Sequence, residues 1–349
     1  MLKYYAELLT QINVLCVYIE ESRADFSDST INVKILKGAL LVERGCSKYN
    51  LPIPLINPDL EKLPNISIHD NFVEIRIRLK QSNRFNETNI LMEAEPKWSA
   101  TYLRTIGEFS FNCGNCRAKL INKNRVSSIN AMPSEMWAEL MEFWHCHKPG
   151  SVISDSGLRY GNLKPRKGTI ILGFYYVLFH PLSFETMEKE DEETIACANC
   201  GFPIGVVTKN GSNWKVHNWN LLLAKPGELK LEYFPPYIYA YSILLDMINS
   251  NGTRFVRIKN LLIWIFGTGV TVTLAEHIYE NSMKIMYMSD EGDIVHWIEA
   301  AKQQSIEYME DLPDLVLSDT KSVLEKTNEC LPDSCKLFEN WKIGFLPND

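Results

Sequence analysis

Two Cys-x-x-Cys pairs, Cys113/Cys116 and Cys197/Cys200, are the residues whose type and spacing most directly specify a chemistry. Together they offer four thiolates, the full ligand set of a structural zinc ion. Two sulfurs three residues apart reach one ion, at about 2.3 Å, only where the backbone turns tightly between them. Both stretches supply such a turn: Phe111-Asn112-Cys113-Gly114-Asn115-Cys116 and Ala196-Cys197-Ala198-Asn199-Cys200-Gly201. Strand-like residues follow each pair, Leu120-Ile121 after the first and Ile204-Gly205-Val206-Val207 after the second. Each pair therefore reads as a knuckle at the point where a strand turns back.

A redox dithiol and a set of unrelated thiols are the competing readings. The redox type uses a single pair at a strand-to-helix junction, where the helix dipole lowers the thiol pKa. Neither pair here leads into a helical pattern. About 80 residues separate the pairs, more than an ordinary zinc ribbon has. A shared ion would thus clamp two distant segments together.

His145-Cys146-His147 is a second cluster, and three readings stand open. Cys146 and His147 could ligate a metal, either a second ion or in place of a knuckle cysteine. Cys146 could be a nucleophile with an imidazole near enough to deprotonate it. The third reading is a helix C-terminus whose histidines favour the negative dipole end while the thiol packs inside.

The elements that must hold these groups follow from hydrophobic patterning. Short β-branched or alternating runs fill residues 1–104, among them Val14 to Ile19 and Phe72 to Leu79, and prolines 52, 54, 58 and 64 exclude a long helix there. Residues 105–227 hold both knuckles, a helix carrying Met136, Trp137, Leu140, Met141 and Trp144 on one face, and a continuous buried strand over Thr169 to His180. The aromatics Trp137, Trp144, Tyr175, Tyr176 and Phe179 read as core at this spacing. Residues 228–349 mix helices, over Tyr237 to Asn249, Asp293 to Met309 and Lys321 to Glu329, with strands near Thr253, Leu261, Met283 and Trp341. Leu261 to Ala275 reads as two strands around a turn at Gly267-Thr268-Gly269. The expected fold class is α+β: a β-rich N-terminal region, a knuckle-bearing central β region and a mixed α/β C-terminal region.

Composition narrows the function. At 349 residues and 46% hydrophobic the chain can bury a substantial core. A net charge of −7 argues against direct nucleic-acid binding, which needs clustered Lys and Arg. No secretory signal or membrane span is expected, so the nine cysteines belong to a reducing compartment, and the expected localisation is cytoplasm and nucleus. There is no lysine-bearing phosphate loop, no His-Glu-x-x-His and no Gly-x-Ser-x-Gly. These absences disfavour the familiar hydrolases.

Taken in order, Cys113-Gly114-Asn115-Cys116, Met132-Pro133-Ser134-Glu135-Met136-Trp137, Trp144-His145-Cys146-His147, Cys197-Ala198-Asn199-Cys200 with Gly205, and the terminal Gly344-Phe345-Leu346 resemble the HECT-like proteins that bind ubiquitin-conjugating enzymes and act as E3 ubiquitin ligases. The resemblance runs from about residue 110 to the end. Length and order are also similar to a budding-yeast member associated with cleavage and polyadenylation of pre-mRNA. The resemblance implies a ubiquitin-conjugating enzyme as partner, together with subunits of the 3′-end processing machinery, its endonuclease above all. A HECT mechanism requires a free cysteine near the C-terminus to carry ubiquitin as a thioester. Here Leu317-Ser318-Asp319-Thr320-Lys321 has lysine at the corresponding place, and Cys335, in Leu331-Pro332-Asp333-Ser334-Cys335, is a substitute at shifted spacing. Cys146 and Cys335 are thus the candidate acceptors. A zinc-stabilised adaptor without catalysis is the alternative.

Overall fold

The computed structural model describes residues 2–21, 31–45, 47–69, 71–80, 97–132, 165–208, 213–301 and 304–348. The fold is α+β with strands in the majority, and four α-helices lie among the described residues. The chain forms two compact units, Met1–Ala94 with Ala240–Asp349, and Glu95–Tyr239.

In the first unit, strand pairing joins its two chain segments. Leu2–Leu9 pairs antiparallel with Val14–Glu21 on one side and with Leu261–Leu274 on the other. The resulting ten-stranded sheet continues through Phe72–Arg78 to Asn65–Ile68 at one end, and through His277–Met288 and Trp341–Leu346 to Leu337–Phe338 at the other. Alternation decides what each face buries. Tyr4, Ala6, Leu15, Val17, Ile19, Val73, Ile75 and Ile77 share one face and pack with Leu40, Val42 and Leu51 of a three-stranded sheet, Ile31–Leu36, Ala39–Arg44 and Ser47–Pro52. Tyr5 points to the other face and packs with Val272, Leu274, Leu331 and Phe345.

Two helices of this unit show why their segments are helical. Asp314–Cys330 buries Val316, Leu317, Thr320 and Leu324, a spacing that makes one stripe, and packs on Trp341–Leu346. Glu291–Ala300 is capped by Asp290, whose carboxylate accepts the Asp293 N–H at 3.1 Å.

Three sequence expectations are corrected. The helix expected over Asp293 to Met309 ends at Ala300, and Ile306–Met309 is instead a strand parallel to Phe255–Ile258. Lys302-Gln303-Gln304-Ser305 gives a continued helix nothing apolar to bury, whereas strand pairing satisfies the backbone. Leu261 to Leu274 is one strand rather than two, because its glycines make irregularities in the pairing with His277–Met288 instead of a reversal. Thr169 to His180 is two strands, Thr169–Leu172 and Tyr176–Phe179, paired as a hairpin. A continuous apolar run reads alike whether it holds one buried strand or two.

The second unit is built on two sheets. Seven strands run in the order Ser128–Ala131, Thr169–Leu172, Tyr176–Phe179, Trp214–His217, Pro203–Val207, Thr194–Cys197 and Met187–Lys189. Four more run Glu232–Tyr233, Leu221–Ala224, Ser110–Cys113 and Lys119–Asn122. Each sheet contains one knuckle as the turn of a hairpin.

Candidate metal centre

The first knuckle connects Ser110–Cys113 to Lys119–Asn122. The Cys113 N–H donates to the Ala118 carbonyl at 2.8 Å, and the Arg117 N–H donates back to the Cys113 carbonyl at 3.0 Å. The second connects Thr194–Cys197 to Pro203–Val207 and repeats both bonds: Cys197 N–H to Phe202 O at 2.9 Å, and Gly201 N–H to Cys197 O at 2.8 Å. Both turns need a left-handed residue four positions after the first cysteine. Arg117 occupies it with φ 62° and Gly201 with φ 69°.

These turns bring the four sulfurs together. Sγ of Cys113 lies 3.9 Å from Sγ of Cys200, and Sγ of Cys116 lies 3.8 Å from Sγ of Cys197. All four fall within 4.8 Å of one another. Four sulfurs set tetrahedrally around an ion at about 2.3 Å stand about 3.8 Å apart, so the donor set and its size both fit a tetrahedral metal. Cys113 and Cys197 are buried, Cys116 is partly buried and Cys200 is exposed.

The four thiols differ in how readily they ionise. Burial pushes the Cys113 thiol up to about 12 and raises Cys197 as well. Cys116 is lowered to about 6, first by a hydrogen bond from the Ala118 backbone and then by Asn199. Two buried thiols that resist ionisation thus face one that ionises readily, and an ion bound between them would favour the thiolate form of all.

The structure unites the four residues that the sequence pairs. The repeated Asn at the third position of each Cys-x-Asn-Cys was the signal for further residues at the centre, Asn115 and Asn199, which the sequence reading treats only as turn formers. Cys146 and His147, with the helix expected around Trp137 and Trp144, lie outside the described residues.

Cys335 belongs to the other unit. It is the last residue of the 3-10 turn Asp333–Cys335, is partly buried, and packs on the apolar cluster of Tyr5, Leu331 and Phe345. Its Sγ is 3.8 Å from the Ser334 hydroxyl, and burial raises its thiol. The groups acting on it most strongly are Ser334, Lys284, Glu20 and Glu74, none an imidazole. Lys321 lies on the Asp314–Cys330 helix, and its ammonium donates to the Asn260 side chain.

A buried ionic group on the face of Tyr5 escaped the sequence reading. Tyr5 donates its phenol proton to the Glu7 carboxylate, and the Lys284 ammonium donates to the same carboxylate oxygen at 2.6 Å. Glu7 is 6% exposed, and the lysine gives its carboxylate a partner of opposite charge where little water reaches. Burial, and then Glu7, hold the Tyr5 phenol well above its usual range. The signal was Glu7 itself, an acid within the strand Leu2–Leu9 that is otherwise apolar after Lys3.

Comparison with known proteins places the chain in a family. An uncharacterized protein of Saccharomyces cerevisiae is 29% identical over 357 residues, covering 99% of each chain. An uncharacterized protein of Schizosaccharomyces pombe is 22% identical over 255 residues, covering 68% of this chain and 72% of its own. No solved structure matches the chain. The family described as HECT-like ubiquitin-conjugating enzyme (E2)-binding matches residues 7–343, across both units and both knuckles, and the chain belongs to that family.

Proposed function

We propose that the chain binds a ubiquitin-conjugating enzyme on a scaffold braced by structural zinc, and promotes ubiquitin transfer from that enzyme without carrying the thioester itself. The observation that supports the zinc is the convergence of four sulfurs within 4.8 Å with no other ligand type among them. Thiolates in this geometry favour zinc or iron over hard cations, and zinc, which has no redox chemistry of its own, suits a brace. Cys113, Cys116, Cys197 and Cys200 would hold it. When bound, the ion supplies cross-linking rather than catalysis, since four protein ligands leave no open position.

Partner binding is supported by the family match over residues 7–343. The absence of a thioester step is supported by the described thiols outside the centre. Burial raises Cys16, Cys330 and Cys335 alike, and a raised thiol is a poor acceptor at neutral pH. Lys321 stands where the resemblance leads one to expect the acceptor.

The same features suit a second reading, a non-catalytic zinc-stabilised adaptor that holds the endonuclease of the pre-mRNA cleavage and polyadenylation machinery, in nucleus and cytoplasm. Its support is the resemblance, in length and in the order of sequence landmarks, to a budding-yeast member associated with that machinery.

One assay separates these readings. Purified chain is mixed with a panel of ubiquitin-charged conjugating enzymes, and discharge to free lysine is followed on non-reducing gels. Faster discharge by at least one enzyme, unchanged in Cys335→Ala and Cys146→Ala, is the expected result. A ubiquitin thioester on the chain that either substitution abolishes would overturn the direct-transfer reading. If no enzyme binds or discharges faster, the ligase reading fails, and the adaptor reading then requires the endonuclease subunit to co-purify with the chain.

A further inference from the structure

The two halves of the thiol centre are related by an approximate two-fold repeat, and the repeat extends beyond the sulfurs. Asn115, two residues after Cys113, directs its side-chain amide N–H at Sγ of Cys200, 3.7 Å away. Asn199, two residues after Cys197, directs its own at Sγ of Cys116, 3.5 Å away. Each asparagine therefore belongs to one knuckle and donates to the second cysteine of the other.

The backbone behind them crosses in the same sense. The Gly114 N–H donates to the Asn220 carbonyl at 2.8 Å, and the Asn220 side chain donates to the carbonyl of Ile204 in the second hairpin at 3.2 Å. The Ala198 N–H donates to the Thr186 carbonyl at 3.1 Å, and the Thr186 hydroxyl donates to the carbonyl of Leu120 in the first hairpin at 2.7 Å. Asn220 and Thr186 are thus the braces that hold one hairpin against the other. Asn115 and Asn199 are the groups that touch sulfur.

From this crossing we infer that Asn115 and Asn199 are a reciprocal pair of positioning residues for the metal, each tuning the thiolate of the opposite half. Four thiolates on one divalent ion leave the centre with a net charge of about −2, and the sulfurs repel one another. An N–H donated to a thiolate withdraws part of its charge and fixes its direction. The two donors act on Cys116 and Cys200, the more exposed sulfur of each pair. Those are the positions where water and chelators have access. Glycine and alanine at the preceding positions, Gly114 and Ala198, contribute no side chain that could do the same.

The inference rests on the zinc reading of the four thiols, and the test keeps the two apart. The full chain is loaded with cobalt(II), whose thiolate charge-transfer bands report the charge on sulfur. Metal release to a chelator is timed in the same samples. Asn115→Ala and Asn199→Ala, both at exposed positions, are each expected to hasten release about tenfold, the low end of the range for groups that orient a ligand. Each should also move the charge-transfer band to longer wavelength, because a thiolate without its hydrogen bond gives up an electron more easily. Thr186→Val removes a brace that touches no sulfur and is expected to leave the band in place. Release within twofold of the unsubstituted chain together with an unmoved band overturns the inference while leaving the zinc reading standing. A band shift in Thr186→Val as large as in the asparagine variants overturns it too, since the shift would then report loosening of the hairpins. If the unsubstituted chain takes up no metal, the zinc reading fails and the inference falls with it.

Discussion

His217 shows how one side chain couples the second unit to pH. Its ring stacks on Trp219 with centroids 4.5 Å apart, and burial, reinforced by the charge of Lys215, pushes the imidazole down to about 4. An unfolded histidine titrates near 6.5, so between these values the unfolded chain binds the proton and the folded chain refuses it. The stability this group contributes is therefore complete above about pH 6.5, declines as pH falls, and is gone below about pH 4. The shift corresponds to roughly 3 kcal/mol at most. His217→Phe keeps an aromatic ring against Trp219 and removes the proton site. Urea midpoints measured from pH 7 to pH 4 should fall more steeply in the unsubstituted chain than in this variant. Parallel curves would show that His217 does not control the dependence. Thiol protonation at the metal centre affects both chains equally, so only the difference between them carries the histidine.

At the scale of elements, the closing strand and the helix above it show which parts of the fold a sequence exposes and which it hides. Gly344 lies in Trp341–Leu346 beneath the Asp314–Cys330 helix, and a Cβ placed there would stand 2.9 Å from the Leu324 carbonyl oxygen and 3.2 Å from its Cα. Backbone atoms cannot turn aside, so Gly344→Ala is expected to push strand and helix apart at a cost of about 1–3 kcal/mol, read as a lower urea midpoint with an unchanged slope. An unaltered midpoint would mean that the helix yields freely. Gly344 was legible only as part of a terminal landmark, because the helix it meets lies some twenty residues away and the contact is tertiary. The helix Tyr237–Asn251 was legible from local signals, with Pro235-Pro236 before it and apolar residues at helical spacing within it. The knuckles were legible for the same reason, since ligand type, spacing and turn residues all fall within six positions. The crossed bonds of Asn115 and Asn199 were not, because each joins residues more than eighty apart. Glycine in Leu261–Leu274 misled by signalling a turn where the strand merely changes its pairing. Ile306–Met309 misled because its apolar residues fit either period, and only the free edge of Phe255–Ile258 decides.

At the scale of the whole molecule, an ion held by the four thiols would share the work of stabilisation with the cores of the two units. In the first unit the pairing of Leu2–Leu9 with Leu261–Leu274 makes one large sheet of two chain segments, and apolar clusters pack on both faces of it. None of the four thiols belongs to those clusters. In the second unit, the hairpins Ser110–Asn122 and Thr194–Val207 belong to different sheets, and the sulfurs are where their tips converge. A tetrathiolate ion there closes a loop of about 80 residues, and such ions contribute up to about 10–16 kcal/mol where a small domain depends wholly on them. Here the braces of Thr186 and Asn220 carry part of the load, so the loss on metal removal should be smaller and local. Hydrogen exchange before and after chelation distinguishes the cases. Amides of Cys113, Arg117, Cys197 and Gly201, all hydrogen-bonded within the knuckles, should exchange at least tenfold faster in the metal-free chain, since each ~1.4 kcal/mol of lost local stability is a factor of ten. Amides in Leu261–Leu274 and His277–Met288 should keep their rates. A uniform loss of protection across both units would mean that the metal supports the entire fold, and unchanged rates at the four knuckle amides would mean that it supports neither hairpin.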